Sequence, residues 1–418
     1  MSIMNSDVIV IGGGASGMMA AYKAAIGGNS VVLLEKNEKL GKKIYITGKG
    51  RCNVTNACDF DTFSAQIVSN NKFMFSSLKS FSNFDLYALL EDNGCRLKIE
   101  RGERVFPQSD HASDINKAFS KMLCDSDVKL ELNTEVKEII KDGDKFFVKT
   151  VKNNKKFIYS APRVIVCTGG MSYPSTGSTG DGYRFAEYFN IKVNEPLPAL
   201  VPLTASENDC FKLSGVSLKN VEASFYELSN KDKKICSFFG EMLFTHFGIS
   251  GPIILSASSL LTKGLSEGKK YVLEIDLKPA LSDEKLDERI LRDFADVSNM
   301  QIDNALSKLI ISSLRTPVLK RAGINPDKKV HDITKEERKR LVRAIKHFDF
   351  TINGTRGFNE AIITQGGIDV KYINPKTMES KQVSGLYFAG EVLDIDAYTG
   401  GFNLQLAFST GSAAGSGI

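Results

Sequence analysis

The sequence predicts an α/β protein in which a Rossmann-like nucleotide-binding domain is assembled from both chain ends. Three observations predict it. A β-branched run, a glycine turn, an alanine-rich helix and a second strand follow one another between Val8 and Glu35. Near the other end, Gly385–Gly411 reads as strand, glycine, acid, glycine-rich loop and helix. Between them the pattern changes to prolines, short strands and charged helices, as expected of an insertion that is part β and part helical bundle.

The elements follow in order. Asp7–Ile11 is a continuous apolar run of the kind buried in a parallel sheet. A helix is expected from Gly14 to about Ile26 and a strand over Ser30–Glu35, which completes a βαβ unit of about thirty residues. Lys129–Glu138 and Lys145–Val151 read as strands, with Asp142, Gly143 and Asp144 as a hairpin turn. Arg163–Cys167 is another buried strand, ending in Thr168, Gly169 and Gly170. Pro196, Pro198 and Pro202 call for extended chain. Val201–Leu277 reads mostly as short strands and Ser282–Phe348 as helical, its last helix opened by a capping box of Thr334 and Glu337. The expected domains are 1–194, 195–345 and 346–418, the first and last forming one nucleotide-binding domain.

Composition narrows the function. The 418 residues are 42% hydrophobic and 25% charged, ordinary for a globular chain of two or three domains. A net charge of +5, spread thinly, suits an anionic ligand such as a pyrophosphate and argues against nucleic acid as the main partner. Seven cysteines without a Cys-x-x-Cys form neither a disulfide framework nor a zinc spacing, so no metal is expected. A reduced, cytoplasmic protein without a signal segment is the simple reading, and Gly251–Leu261 is too short and serine-rich to span a bilayer.

The glycines at 12, 14 and 17 have the Gly-x-Gly-x-x-Gly spacing, followed by Ala15 and Ser16 at the helix start. The first permits the tight turn, the second lets a pyrophosphate approach the backbone, and the third lets the helix pack on the sheet. The helix N-terminus then faces the phosphates with free N–H groups. Glu35, closing the second strand and followed by Lys36, can accept both hydroxyls of an adenosine ribose. It would repel a 2′-phosphate, which disfavours NADP at this place.

That unit does not separate FAD from NAD; the C-terminal segment does. In two-dinucleotide-binding-domain flavoproteins a late strand ends in glycine and an acid that holds the ribityl hydroxyls, and Gly390 and Glu391 resemble that pair. The same resemblance implies that the helix starting near Asn403, Leu404 and Gln405 points its positive end at the pyrimidine side of a flavin, where reduced flavin carries negative charge. FAD is therefore the expected cofactor.

The segments GKKIYITGKGRCNVTN, GEMLFTHFGISGP and TMESKQVSGLYFAGEVLDIDAYTGGFNLQLAFSTG resemble the bacterial aminoacetone oxidase-like flavoproteins, whose relatives include bile-acid enone reductase-like enzymes. The resemblance runs over essentially the whole chain. It implies a two-dinucleotide-binding-domain flavoprotein with non-covalent FAD and an insert of β-barrel and helices. It implies further that the loop after Glu35 crosses the flavin, placing Gly41, Lys42, Thr47, Gly48, Gly50, Arg51, Cys52 and Asn53 along the cofactor. Val136 would meet the adenine, and the backbone at Thr168, Gly169 and Gly170 would approach the cofactor. Lys49 departs from the family pattern, which has glycine there.

Arg51 would neutralise a phosphate or a reduced flavin, or else serve a structural ion pair. Cys52, with no resolving cysteine near it in sequence, reads as an inert buried thiol. Candidate proton donors are His246, between aromatic residues, and Tyr173 and Tyr398 in glycine-rich loops; each has packing as its bland alternative.

The expected chemistry is hydride transfer. In one direction reduced flavin gives hydride to the β-carbon of an enone and an acid protonates the α-carbon. In the other an amine is oxidised. The reductive direction is favoured because it fits a low-oxygen cytosol. No second Gly-x-Gly-x-x-Gly is present, so NAD(P)H is expected to act as a transient reductant at the flavin face. A competing class is a flavin-containing RNA- or protein-binding factor, using Arg338, Lys339, Arg340, Arg343 and Lys346 as a phosphate-binding face.

Overall fold

The computed structural model describes residues 3–418, apart from the side chain of Lys231. The chain divides into two compact units. One comprises the chain up to Pro198 together with Phe358–Ile418; the other is Ala199–Gly357.

The core of the first unit is a five-stranded parallel sheet: β1 (Val8–Ile11), β2 (Val31–Leu34), β3 (Lys129–Glu131), β4 (Arg163–Val166) and β5 (Leu386–Phe388). Their order across the sheet is 5-4-1-2-3. β1, β2 and β5 are buried on both faces, which is why they read as unbroken apolar runs and not as alternating ones. The order reverses between β1 and β4, so their carboxyl ends diverge into a crevice, the usual ligand position in such sheets. α1 (Ala15–Ile26) follows β1, and α2 (Lys42–Ile46) follows β2.

The C-terminal helix, Phe402–Ser416, lies against α1. Small residues permit this approach: a Cβ on Gly411 would overlap the Ser16 carbonyl, and one on Gly415 the Ala20 carbonyl. Ala20, Ala21 and Ala24 are fully buried in α1. The alanines thus keep α1 slim on the sheet side while glycines do the same for its partner.

A second sheet orders Ile3–Asn5, Lys155–Ala161, Lys145–Lys152 and Thr134–Asp142. The hairpin expected at Asp142–Asp144 joins two of these strands in register, Lys145 opposite Asp142. The short strand Ile3–Asn5 pairs in parallel with Ile158–Ser160 and carries no sequence pattern of its own.

The second unit is a closed six-stranded barrel with helices. Phe225, Phe244, Phe348 and Phe350 fill its interior. Two of its strands, Ser217–Glu227 and Asn230–Thr245, are long, where short strands were expected. The apolar stretch near Gly251–Leu261 is not a strand but part of a 15-residue helix, Pro252–Ser266. Pro252 at the first turn is favourable there, because its missing N–H would have no helical partner. The strand Phe348–Thr355 pairs with Leu203–Ala205 and Tyr271–Asp276, so this unit runs on to Gly357, beyond the expected boundary at 345. The capping box of Thr334 and Glu337 is formed, and Glu337 also binds Lys328 at 2.8 Å. Among the described residues, no helix is long and apolar enough to cross a membrane.

Candidate functional site

The site grows from the glycine turn after β1. Gly12 has φ +101°, and a Cβ there would overlap the Cys167 carbonyl at the end of β4. A Cβ on Gly17 would overlap the Gly12 carbonyl. These two glycines are therefore demanded by the protein's own backbone. Gly14 is different: beyond its immediate chain neighbours, a Cβ there would meet nothing within 4 Å among the described residues. Its missing side chain leaves space open at the N-terminus of α1, as an approaching ligand requires.

Glu35 is bound into this turn. Its Oε2 accepts from the Gly13 N–H at 2.7 Å, and its Oε1 accepts from the Asn37 N–H and side-chain amide at 2.8 and 2.7 Å. The carboxylate is buried yet borders the cavity described next. A carboxylate has about four lone-pair sites, so it retains capacity for ligand hydroxyls.

These features open onto a cavity lined wholly by the first unit, enclosing about 1330 Å³ free of protein atoms, its mouth included. Its lining includes Gly12, Gly14, Ala15, Ser16, Glu35, Lys36, Gly41, Lys42, Thr47, Val136, Thr168, Gly169, Gly390, Glu391, Asn403 and Leu404 of the expected residues. Thus both chain ends, some four hundred residues apart in sequence, meet at one cavity. At its C-terminal side, the first helical bond runs from the Gln405 N–H to Gly401. The earlier N–H groups of Asn403 and Leu404 precede that bond, and both residues border the cavity.

Glu391 is held by groups that sequence reading did not single out. Its Oε2 accepts from Lys43 Nζ at 2.6 Å. Its Oε1 accepts from Ser172 Oγ at 2.6 Å and from the Thr364 N–H at 2.9 Å. Lys43 also donates to Ser172 Oγ at 2.5 Å, and it borders the cavity. No local spacing signals this cluster, because its members come from four separate segments.

Several expected residues lie outside the lining: Gly17, Gly48, Gly50, Arg51, Cys52, Asn53, Gly170 and Gln405. Gln405 is fully buried, and its amide exchanges hydrogen bonds with Thr55, Ser409 and the Phe81 carbonyl. Arg51 binds Glu100 and Asp110 and stacks its guanidinium over Phe106, the ion-pair alternative. Cys52 is fully buried, and burial pushes its thiol up, as expected of an inert cysteine. Gly48, Lys49, Gly50 and Cys52 all have positive φ. Lys49 thus stands at φ +58°, a left-handed position between two glycines. Lys36 and Lys42 border the cavity and pair with Asp181 and Glu38 respectively.

Of the proton-donor candidates, Tyr173 and Tyr398 belong to the first unit and His246 to the second. Tyr398 is half-buried; its carbonyl accepts from Asn403, a cavity residue, at 3.3 Å. Tyr173 is half-buried in a left-handed conformation, its N–H bound to the Phe358 carbonyl. His246 is exposed in the second unit, its ring edge-on to Phe247 at 5.0 Å. None of the three borders the cavity.

Asp396 was also missed. It is fully buried, its Oδ2 accepts from Gln365 at 3.4 Å, and its Oδ1 has no hydrogen-bond partner among the described residues. Burial pushes its carboxyl up to about 6. Its neighbour Ile395 borders the cavity. Among the described residues no group of acidic, histidine or cysteine side chains is arranged to hold a metal.

The family model described as the HI0933-like protein Rossmann domain matches residues 6–417. The chain belongs to the HI0933-like Rossmann family. Membership, with the sheet order and glycine turn above, makes it an FAD-dependent oxidoreductase, and the flavoprotein resemblance carried by the three motif segments is borne out. A Haemophilus influenzae relative named ribosomal RNA dihydrouridine synthase is 35% identical over 98% of this chain and 97% of its own length. A Clostridium scindens relative named 3-dehydro-bile acid delta(4,6)-reductase is 31% identical over 97% of both. The family fold also matches a solved 3-ketosteroid delta1-dehydrogenase from Sterolibacterium denitrificans, with a TM-score of 0.53 and 13% identity over 98% of both chains. That last likeness concerns the fold alone.

Proposed function

We propose that this HI0933-like protein is a reductase of a small molecule carrying a C=C bond conjugated to a carbonyl, with NAD(P)H as the reductant. The observation that carries the cofactor placement is the single cavity joining Gly14 and Glu35 to Glu391 and the start of the C-terminal helix. In this reading the α1 N-terminus and Gly14 hold the pyrophosphate, Glu35 the adenosine ribose, Val136 the adenine, and Glu391 the ribityl chain. The helix start at Asn403 and Leu404 faces the pyrimidine side of the ring. Bound there, FAD supplies hydride transfer to or from carbon.

The reductive direction is supported by the bile-acid reductase relative, whose name describes reduction of double bonds conjugated with a ketone. The protein must exclude water, orient the acceptor and deliver a proton to the α-carbon. Tyr398 is our choice for that proton, because Asn403, a residue of the cavity wall, donates to its backbone carbonyl; Tyr173 and His246 are its rivals. Oxidation of a small amine is the competing direction.

The RNA-directed name of the Haemophilus relative raises a nucleic-acid reading. The basic helix offers little support for it. Arg338 pairs with Asp287, Lys339 with Glu336 and Lys346 with Asp276, while Arg340 donates to the Ala322 carbonyl. Four of the five basic residues named for that face thus have partners within their own unit.

The test is turnover of the FAD-loaded, NAD(P)H-reduced protein with three acceptors: a 3-keto-4-ene steroid, a simple cyclic enone and a uridine-containing RNA. Oxidation of the flavin by the enones alone is expected. Oxidation by the RNA alone would replace the proposal. Tyr398→Phe is expected to slow the enone half-reaction at least tenfold while leaving reduction by NAD(P)H intact; the same loss in Tyr173→Phe or His246→Asn instead would reassign the donor.

A further inference from the structure

We propose that Lys43 is the charge partner of the cofactor: held by Glu391 and Ser172, its ammonium donates its remaining hydrogen to bound FAD and favours the reduced, anionic form. The inference rests on the cofactor placement above and concerns a residue which that placement does not use.

An ammonium has three donors and a carboxylate about four acceptor sites. Lys43 gives one donor to Glu391 Oε2 and one to Ser172 Oγ, which leaves a third without an acceptor among the described residues. Glu391 receives Ser172 Oγ and the Thr364 N–H on Oε1, and Lys43 on Oε2. Its free acceptor site is therefore on Oε2, the oxygen that Lys43 already touches. A ligand hydroxyl accepted there must lie beside the ammonium. Both side chains are largely shielded, at 26% and 20% exposure. A charge in such a place interacts more strongly with its neighbours than it would in bulk water.

The other two lysines of the cavity sit differently. Lys36 follows Glu35 and is bound to Thr179 and Asp181; Lys42 is bound to Glu38. Lys43 is the cavity lysine paired with the acid on the C-terminal side. Together Lys43 and Glu391 form an ion pair with no net charge. Removing one of them leaves a net charge beside the cofactor, and the sign of that charge depends on which is removed. Lys43 is thus a positioning residue with an electrostatic readout.

The test measures FAD binding to the apoprotein by flavin fluorescence and absorbance, with oxidised FAD and, under dithionite, with reduced FAD. Wild type, Lys43→Met, Lys43→Arg and Glu391→Gln are compared, with melting curves confirming that each folds. Lys43→Met is expected to weaken reduced FAD at least tenfold more than oxidised FAD. Glu391→Gln, which keeps the shape and leaves the cation, is expected to move the reduced-to-oxidised affinity ratio the opposite way. Lys43→Arg is expected to restore the wild-type ratio to within about threefold, because it keeps the charge. Equal weakening of both forms by Lys43→Met would make the lysine merely structural and overturn the proposal, as would shifts of the same sign in Lys43→Met and Glu391→Gln. Failure of the wild type to bind FAD would overturn the cofactor placement itself, a separately visible result.

Discussion

At the scale of single residues, two positions carry a cost that the fold retains. Lys49 occupies a left-handed conformation at φ +58°, which costs an L-residue roughly 1–2 kcal/mol. Glycine would remove that cost but would lose more entropy on folding. Lys49→Gly is therefore expected to raise stability by roughly 0.5–1 kcal/mol, read as a higher Tm. An unchanged or lower Tm would show that the lysine side chain makes up for its backbone. Asp396 is the second case. Its carboxyl is pushed up to about 6 by burial, above the unfolded value near 3.8. The folded state then binds the extra proton between these values, so stability is full below about pH 4 and falls as pH rises through about 6. The loss is bounded at about 3 kcal/mol. Asp396→Asn is expected to match wild type near pH 4 and to melt higher than wild type at pH 7 and above. A Tm difference that does not grow with pH would contradict the assignment.

At the scale of elements, the glycine turn separates two kinds of glycine. The Gly17 Cβ position collides with the Gly12 carbonyl, backbone against backbone, so Gly17→Ala must shift α1 from the sheet and costs several kcal/mol. Gly14→Ala meets, beyond its immediate chain neighbours, no atom of the described residues within 4 Å and is expected to leave the apoprotein's Tm within about 1 °C while lowering FAD affinity at least tenfold. Equal loss of Tm in both variants would remove the argument that Gly14 is reserved for a ligand. This βαβ unit was legible in the sequence because its spacing, strand composition and following acid agree with one another. The helix Pro252–Ser266 was not, since its serines and β-branched residues lie beside true strands and its burial is decided by the barrel. The strand Ile3–Asn5 is too short to show a period and exists through its pairing with Ile158–Ser160.

At the scale of the whole molecule, the separation of the two cavity-lining segments by the 199–357 unit was readable from the change in pattern after Pro196. The two acids, Glu35 and Glu391, were readable because each follows a strand and precedes a glycine-rich loop or turn. What supports Glu391 was not: Lys43, Ser172 and Thr364 come from distant segments, and only folding brings them within 3 Å of its carboxylate. The substrate end is likewise silent in sequence, since Tyr173, Tyr398 and His246 carry no spacing that distinguishes a proton donor from a packed ring.

The central claim is that the cavity holds FAD and that NAD(P)H feeds its reduction for transfer to a conjugated alkene. Anaerobic stopped-flow mixing of the FAD-loaded protein with NADH or NADPH, followed by a 3-keto-4-ene steroid, tests it most directly. At least one nicotinamide is expected to bleach the flavin, and the enone is expected to restore the oxidised spectrum. A flavin that neither nicotinamide bleaches would contradict the claim.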